Sequence, residues 1–259
     1  MNLSGFEDNY KQSFMEKTLL CKYLEMINQS QRYMAMSSKN SLKISREGGE
    51  PDYYLKSKEG NVILFENKDI LINSAIKESR DFDKIIAEYK NKLLLKTHQN
   101  GQPISKPKPE GIGQLIEQIK KIQSGKSFWD NSVSPDSTIY PVLVVGDSKL
   151  LPDGLAYLMQ KWYDDRCKSE KVNTKNLRPL IVISISTLLL YSKEFEDKGL
   201  EYYFEEYYTS IESAKKIPSG NSLQNFINAT ISFSEYMNKV HQKNFDNSYN
   251  LYKSKLFTK

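Results

Sequence analysis

Three residues in one short stretch, Asp52, Glu66 and Lys68, could gather two carboxylates and an ammonium at a single point. They lie in "GEPDYYLKSKEGNVILFENKD", residues 49–69, where Pro51-Asp52 and Glu66-Asn67-Lys68 bracket a strand, a turn and a second strand. Lys58-Glu59-Gly60 fits a three-residue hairpin loop, with glycine as the left-handed residue at its third position. Pairing outward from that loop sets Ser57 against Asn61, Leu55 against Ile63 and Asp52 against Glu66. Directly opposed residues have Cβ atoms about 4.5–5.5 Å apart, and like charges there are destabilising. "VILF" immediately before Glu66 predicts a strand buried on both faces, where repulsion is poorly screened. Protonation of one carboxyl, the neighbouring ammonium, or a divalent cation with its preference for oxygen ligands would each compensate. Lys68 lies two residues beyond Glu66 and so projects from the same face. A loop one residue shorter would set Asp52 against Asn67, which keeps the groups close but weakens the cross-strand argument.

The elements that must position these groups follow from the periodicity. Residues 6–29 read as a helix, with Phe6, Tyr10, Phe14, Cys21 and Leu24 near helical spacing. Short β-like pieces follow, "RYMAMS", "SLKIS", "DYYLKS" and "NVILFENK". Residues 73–95 read as a helix, "QNGQPISKPKPEG" as a Pro/Gly loop and "GIGQLIEQIKKIQSG" as an amphipathic helix bounded by glycines. "TIYPVLVVGD" and "RPLIVISISTLLL" are apolar on consecutive positions and read as buried strands, separated by a helix with Asp153 as its N-cap. Beyond residue 192 the pattern is helical and tyrosine-rich, with a break at Pro218-Ser219-Gly220. The expected fold is α/β, a mixed central sheet flanked by helices, with a helical C-terminal extension.

The arrangement resembles the PD-(D/E)xK nuclease superfamily, the restriction-endonuclease-like fold. The resemblance rests on Pro51-Asp52, thirteen intervening residues, then Glu66-Asn67-Lys68 at the end of an apolar strand, within an αβββαβ order of elements over about residues 6–187. It implies a nuclease-like domain over 1–190, with an insertion at about 69–110, and a helical extension over 191–259 packed on it. It also implies Asp52 and Glu66 as ligands of Mg²⁺ or Mn²⁺, the Asn67 carbonyl as a further ligand, and Lys68 as the group that positions the attacking water. Many members carry a glutamate on the first helix, a role that falls here to Glu16. A glutamine on the helix after the catalytic strand corresponds to Gln114 or Gln118, with Gln114 the expected site residue. The implied activity is metal-dependent hydrolysis of nucleic acid, DNA in the first place, leaving 5′-phosphate and 3′-hydroxyl ends. Relatives act with helicases, methyltransferases or defence complexes, so a nuclease subunit of a restriction or anti-phage system is the implied setting. A catalytically idle fold that binds a partner protein or nucleic acid is the alternative.

The motif is specific only in combination. Pro-Asp recurs at 135–136 and 152–153, in a turn and at a helix cap, and acid-x-Lys recurs at Glu88 and Glu196 on helical stretches. Only the 52/66/68 set combines spacing, strand context and cross-strand pairing. The 259 residues carry 37 basic and 32 acidic side chains, a net charge of +5 that permits a polyanionic partner without demanding one. The lysine-rich run at 96–108 and the start of the 111–124 helix are the expected contacts to a phosphate backbone. Two cysteines and two histidines are too few for a zinc site of ordinary spacing or a disulfide framework. No stretch reaches the roughly 20 apolar residues of a membrane span, and the amino terminus lacks a secretory pattern, so a cytoplasmic setting is expected. Glycine-rich phosphate loops, GxSxG elbows and HExxH motifs are absent from the sequence.

Overall fold

The computed structural model describes residues 18–37, 49–68, 72–99, 101–146, 152, 154–216 and 222–241. Its centre is a five-stranded mixed sheet built from β1 (Tyr33–Ser37), β2 (Tyr53–Ser57), β3 (Val62–Lys68), β6 (Ile139–Val145) and β7 (Ile181–Ser184), in the order β1-β2-β3-β6-β7. The first three strands run antiparallel to one another, and β3, β6 and β7 are parallel. The apolar runs of β3 and β6 are buried along nearly their whole length, as strands covered on both faces must be.

Each face of the sheet has its own core. On one face, α1 (Cys21–Ile27) contributes Tyr23, Leu24 and Ile27 against Ile63, Phe65, Val142 and Ile183. The helices α6 (Ile185–Leu190), α7 (Ser192–Lys198), α8 (Leu200–Lys216) and α10 (Phe233–Val240) close the same core with Leu188, Phe195, Phe204, Phe233 and Met237. On the other face, α3 (Phe82–Leu93), α4 (Ile112–Gln123) and α5 (Leu155–Ser169) cover Val62, Leu64, Leu143 and Val145 with Leu93, Ile116, Ile119, Met159 and Trp162. The second face carries the even-numbered side chains of β2 and β3, and therefore also Glu66 and Lys68. Among the described residues no helix is long and apolar enough to cross a membrane.

Several local expectations are corrected. The helix expected over 73–95 is two, α2 (Ser74–Glu78) and α3, parted where Arg80 adopts φ +54° and Asp81 caps α3 by accepting the Lys84 N–H at 3.1 Å. Ser79 and Asp81 bond the backbone locally and so compete with a continuous helix. The expected Pro/Gly loop is a β-hairpin, β4 (Leu95–Gln99) and β5 (Gln102–Pro109), with Gln99 opposite Gln102 and Gly101 at φ +75° between them. The last strand stops at Ser184, whose hydroxyl bonds those of Ser186 and Thr187, both at 2.9 Å, and the chain continues as α6. An apolar run of that length fits strand and buried helix equally well by periodicity. The helical pattern after the Pro218-Ser219-Gly220 break is interrupted at Ser232, which caps α10 reciprocally with Glu235, leaving α9 (Ser222–Thr230) before it. Residues 6–17 of the first helix, the "SLKIS" piece and Asp153 lie outside the described residues.

A polar tie links β2 to the segment between α4 and β6. Asp130 is buried, accepts Tyr54 Oη at 2.8 Å and Ser132 N at 2.8 Å, and pairs with Lys56 Nζ at 2.7 Å. Burial alone would raise its pKa. The bonds from Lys56, Ser132 and Tyr54 outweigh that and hold the carboxyl at about 2. Its folded pKa is depressed, so its contribution to stability is present above the ordinary aspartate value and is lost as pH falls through about 2. Asp130→Ala would strand the Lys56 ammonium, and a loss of about 3 kcal/mol in urea denaturation at pH 7 is expected. A loss below about 1 kcal/mol would contradict this role.

Candidate acid–lysine site at the end of the central strands

The site begins with the β2–β3 hairpin. Ser57 N–H bonds Asn61 O at 2.9 Å, Leu55 is opposite Ile63, and Tyr53 is opposite Phe65. One step further in this register sets Asp52 against Glu66, the pairing expected from a three-residue loop. Gly60 adopts φ +85° at the third loop position, where a side chain would be strained. Asp52 precedes β2 and continues the ladder with its side chain, its Oδ2 accepting the Asn67 N–H at 2.8 Å. A carboxylate is thereby held at the edge of β3, beside the end of an apolar strand.

Glu66 is only 2% exposed. Its Oε1 lies 3.4 Å from Lys68 Nζ, and its Oε2 accepts Gln118 Nε2 at 3.1 Å. Gln118, on the buried face of α4, also reaches the Glu50 carbonyl at 3.4 Å. Lys68 Nζ meets a second acid, Glu110 Oε2, at 3.1 Å. Close packing guides the lysine past the start of α4. Gly111 has φ +45°, and a Cβ there would lie 2.9 Å from Leu93 O and 3.3 Å from Lys68 Cγ.

The electrostatics follow from this crowding. Burial pushes the Glu66 carboxyl well above the ordinary carboxylate range and the Asp52 charge pushes it further, with Lys68 and Gln118 opposing only in part. Burial likewise raises Asp52, against the Asn67 N–H and Lys68, while Glu50 adds to the rise. Burial disfavours the Lys68 ammonium, yet the charges of Glu66, Glu110 and Asp52 outweigh it and keep its pKa above the usual lysine value. The cluster favours added positive charge, whether a proton or a cation.

The donor set fits one class of cation. Among the described residues no group of three or more His, Cys, Asp or Glu is arranged to hold a metal ion. Mg²⁺ keeps several waters and is bound through one or two carboxylates, which Asp52 and Glu66 can supply. Backbone alternation turns the Asn67 carbonyl to the same edge of β3 as its N–H, the Asp52 side. The Asn67 side chain points to the opposite face of the sheet, buried, with neither amide atom bonded to a described residue.

The structure brings together Asp52, Glu66, Asn67 and Lys68. It does not bring in Gln114, whose Oε1 accepts the Gly111 N–H at 2.8 Å and caps its own helix. Gln118, one turn on, faces Glu66 instead. Glu16 lies outside the described residues. Sequence reasoning missed Glu50 and Glu110. Glu110 had a signal, an acid directly before a glycine-flanked helix start, but nothing in its spacing tied it to Lys68.

Glu66 binds its proton more tightly folded than unfolded, so the native state carries more protons and stability falls as pH rises above about 4.3, the unfolded value. Glu66→Gln removes that penalty. The metal-free variant should melt higher than the parent at pH 7.5, with the gap closing towards pH 4. A variant less stable than the parent at pH 7.5 would contradict the assignment. Comparison with known proteins returns no match to a family model, a curated protein or a solved structure, so the site's own geometry carries its interpretation.

Proposed function

We propose that the chain is a divalent-metal-dependent nuclease of the PD-(D/E)xK type, hydrolysing phosphodiester bonds of DNA. The observation that carries this reading is the meeting of Asp52 and Glu66 across paired strands with Lys68 Nζ 3.4 Å from Glu66. The order α1-β1-β2-β3, then α4 and β6, supports it, because that sequence of elements is the core such enzymes share. So does Gln118, which approaches the acids from the helix that follows the acid-bearing strand.

In this reading Asp52, Glu66 and the Asn67 carbonyl hold Mg²⁺ or Mn²⁺. Once bound, the ion supplies a bound water of lowered pKa and withdraws charge from a phosphate oxygen. The protein's own groups do the rest. Lys68 sets positive potential beside the same phosphate oxygen and positions the attacking water. Glu66 and Glu110 orient the ammonium, and its proton belongs to the coupled cluster, so it need not serve as the base. Gln118 fixes the direction of the Glu66 carboxyl, and the Asn67 N–H fixes that of Asp52. The products would carry 5′-phosphate and 3′-hydroxyl ends.

The test is cleavage of plasmid and oligonucleotide DNA, with and without Mg²⁺ or Mn²⁺. Asp52→Ala and Lys68→Ala should each lower the rate by at least about 100-fold. Gln118→Ala, acting through Glu66, should lose about 10-fold. Cleavage by Asp52→Ala and Lys68→Ala at the parental rate would overturn the reading. No metal-dependent cleavage by the parent would leave an idle nuclease-like fold as the better description.

A further inference from the structure

The β4–β5 hairpin buries little of itself, with Leu95, Ile104 and Pro109 half-buried and no side chain in it fully buried. Most of β5 and the tip of β4 are exposed, and a two-stranded hairpin is at best marginally stable alone in water. It is pinned at its base by α3, where Asn91 Oδ1 accepts the N–H groups of Thr97 at 2.8 Å and His98 at 3.0 Å, and Asn91 Nδ2 donates to His98 O at 3.2 Å. A protein that spends contacts to hold out such an arm has a use for its surface. The prolines at 103, 107 and 109 lack the N–H groups through which an exposed strand would recruit another.

The surface is cationic and patterned. Lys96 and Lys108 are direct cross-strand partners, so their side chains share one face, a like-charge pairing that destabilises the bare hairpin. Lys106 lies exposed in the irregular stretch beside them. None of the three makes an ion pair with a described residue. The ladder continues past Lys108, with Glu110 N–H bonding Leu94 O at 3.2 Å, so Glu110 falls on the lysine face. Its carboxylate meets Lys68 at 3.1 Å. The lysine face therefore leads from the arm into the acid–lysine cluster.

We infer that this hairpin is a gripping arm for the phosphate backbone of duplex DNA, leading the strand to Lys68. The inference rests on the nuclease reading and adds its substrate class and the residues that hold it. The strands of a ribbon lie about 4.8 Å apart, and the five residues of β4 span roughly 17 Å. A two-stranded ribbon of that kind enters the major groove of B-form DNA, about 12 Å wide, whereas the deep, narrow major groove of an RNA duplex excludes it. Phosphates on either side supply the anions that relieve the Lys96–Lys108 repulsion.

The experiment compares the parent with Lys96→Gln/Lys106→Gln/Lys108→Gln by fluorescence anisotropy on a 30-base-pair DNA duplex in EDTA, from 50 to 300 mM KCl. Three lost phosphate contacts should flatten the slope of log K against log salt by about 2.7 and weaken binding at least about tenfold at 150 mM. The triple variant should melt no lower than the parent, since it removes the Lys96–Lys108 repulsion, and should keep the parental shift with Mn²⁺. Binding within about twofold of the parent with an unchanged slope would overturn the arm. So would equal parental affinity for a duplex RNA or a single strand of the same length. The two proposals fail separately. A parent that grips duplex DNA through these lysines but never cleaves it sinks the hydrolytic reading alone. A parent that cleaves, with a triple variant that binds as tightly, sinks the arm alone.

Discussion

Two carboxyl groups, from residues opposed in paired strands, are held together beside the end of a buried sheet, and the rest of the molecule is arranged around that crowding. In water such a pair would part. Here the register is locked by a tight loop at one end and by the Asp52–Asn67 bond at the other, so neither acid can slide away. The apolar run before Glu66 removes the solvent that would otherwise screen the repulsion. Lys68 answers part of the charge but is shared with Glu110, and the site is left favouring a further positive charge. Carboxyl groups shifted this far by burial and a like charge cluster at functional sites.

The sheet and helices serve that constraint from both sides. One core, built by α1 and the C-terminal helices, packs the face of β3 opposite the acids. The other core carries α4, whose buried Gln118 sets the direction of Glu66. The segment between β3 and α4 does more than span a gap. It ends at Glu110, which engages Lys68, and it raises a basic hairpin that Asn91 ties to α3. That segment and the site are thus parts of one charged surface.

The parts of this arrangement governed by local rules were legible in the sequence. Loop length and a glycine at its third position are enough to set the β2–β3 register, because a one-residue slip would turn every side chain to the wrong face. The double-sided burial of β3 and β6 follows from consecutive apolar residues. What depended on competition between weak signals was not legible. The β4–β5 pairing was hidden behind lysines and prolines that suggest a loop, and the Ser184 switch from strand to helix rests on hydroxyl bonds invisible in composition. Gln114 and Gln118 share a helical face, and only the tertiary contact shows that one caps its helix while the other meets Glu66. Glu110 reaches Lys68 across 42 residues, a separation no motif encodes.

All of this comes down to what occupies the gap between Asp52 and Glu66. A crystal structure grown with MnCl₂, with anomalous differences collected, addresses it directly. A divalent ion held between the acids predicts one strong peak within coordination distance of an oxygen from each, on the side where Lys68 and the Asn67 carbonyl converge. A map without that peak, with the two carboxyls instead sharing a proton, would contradict it.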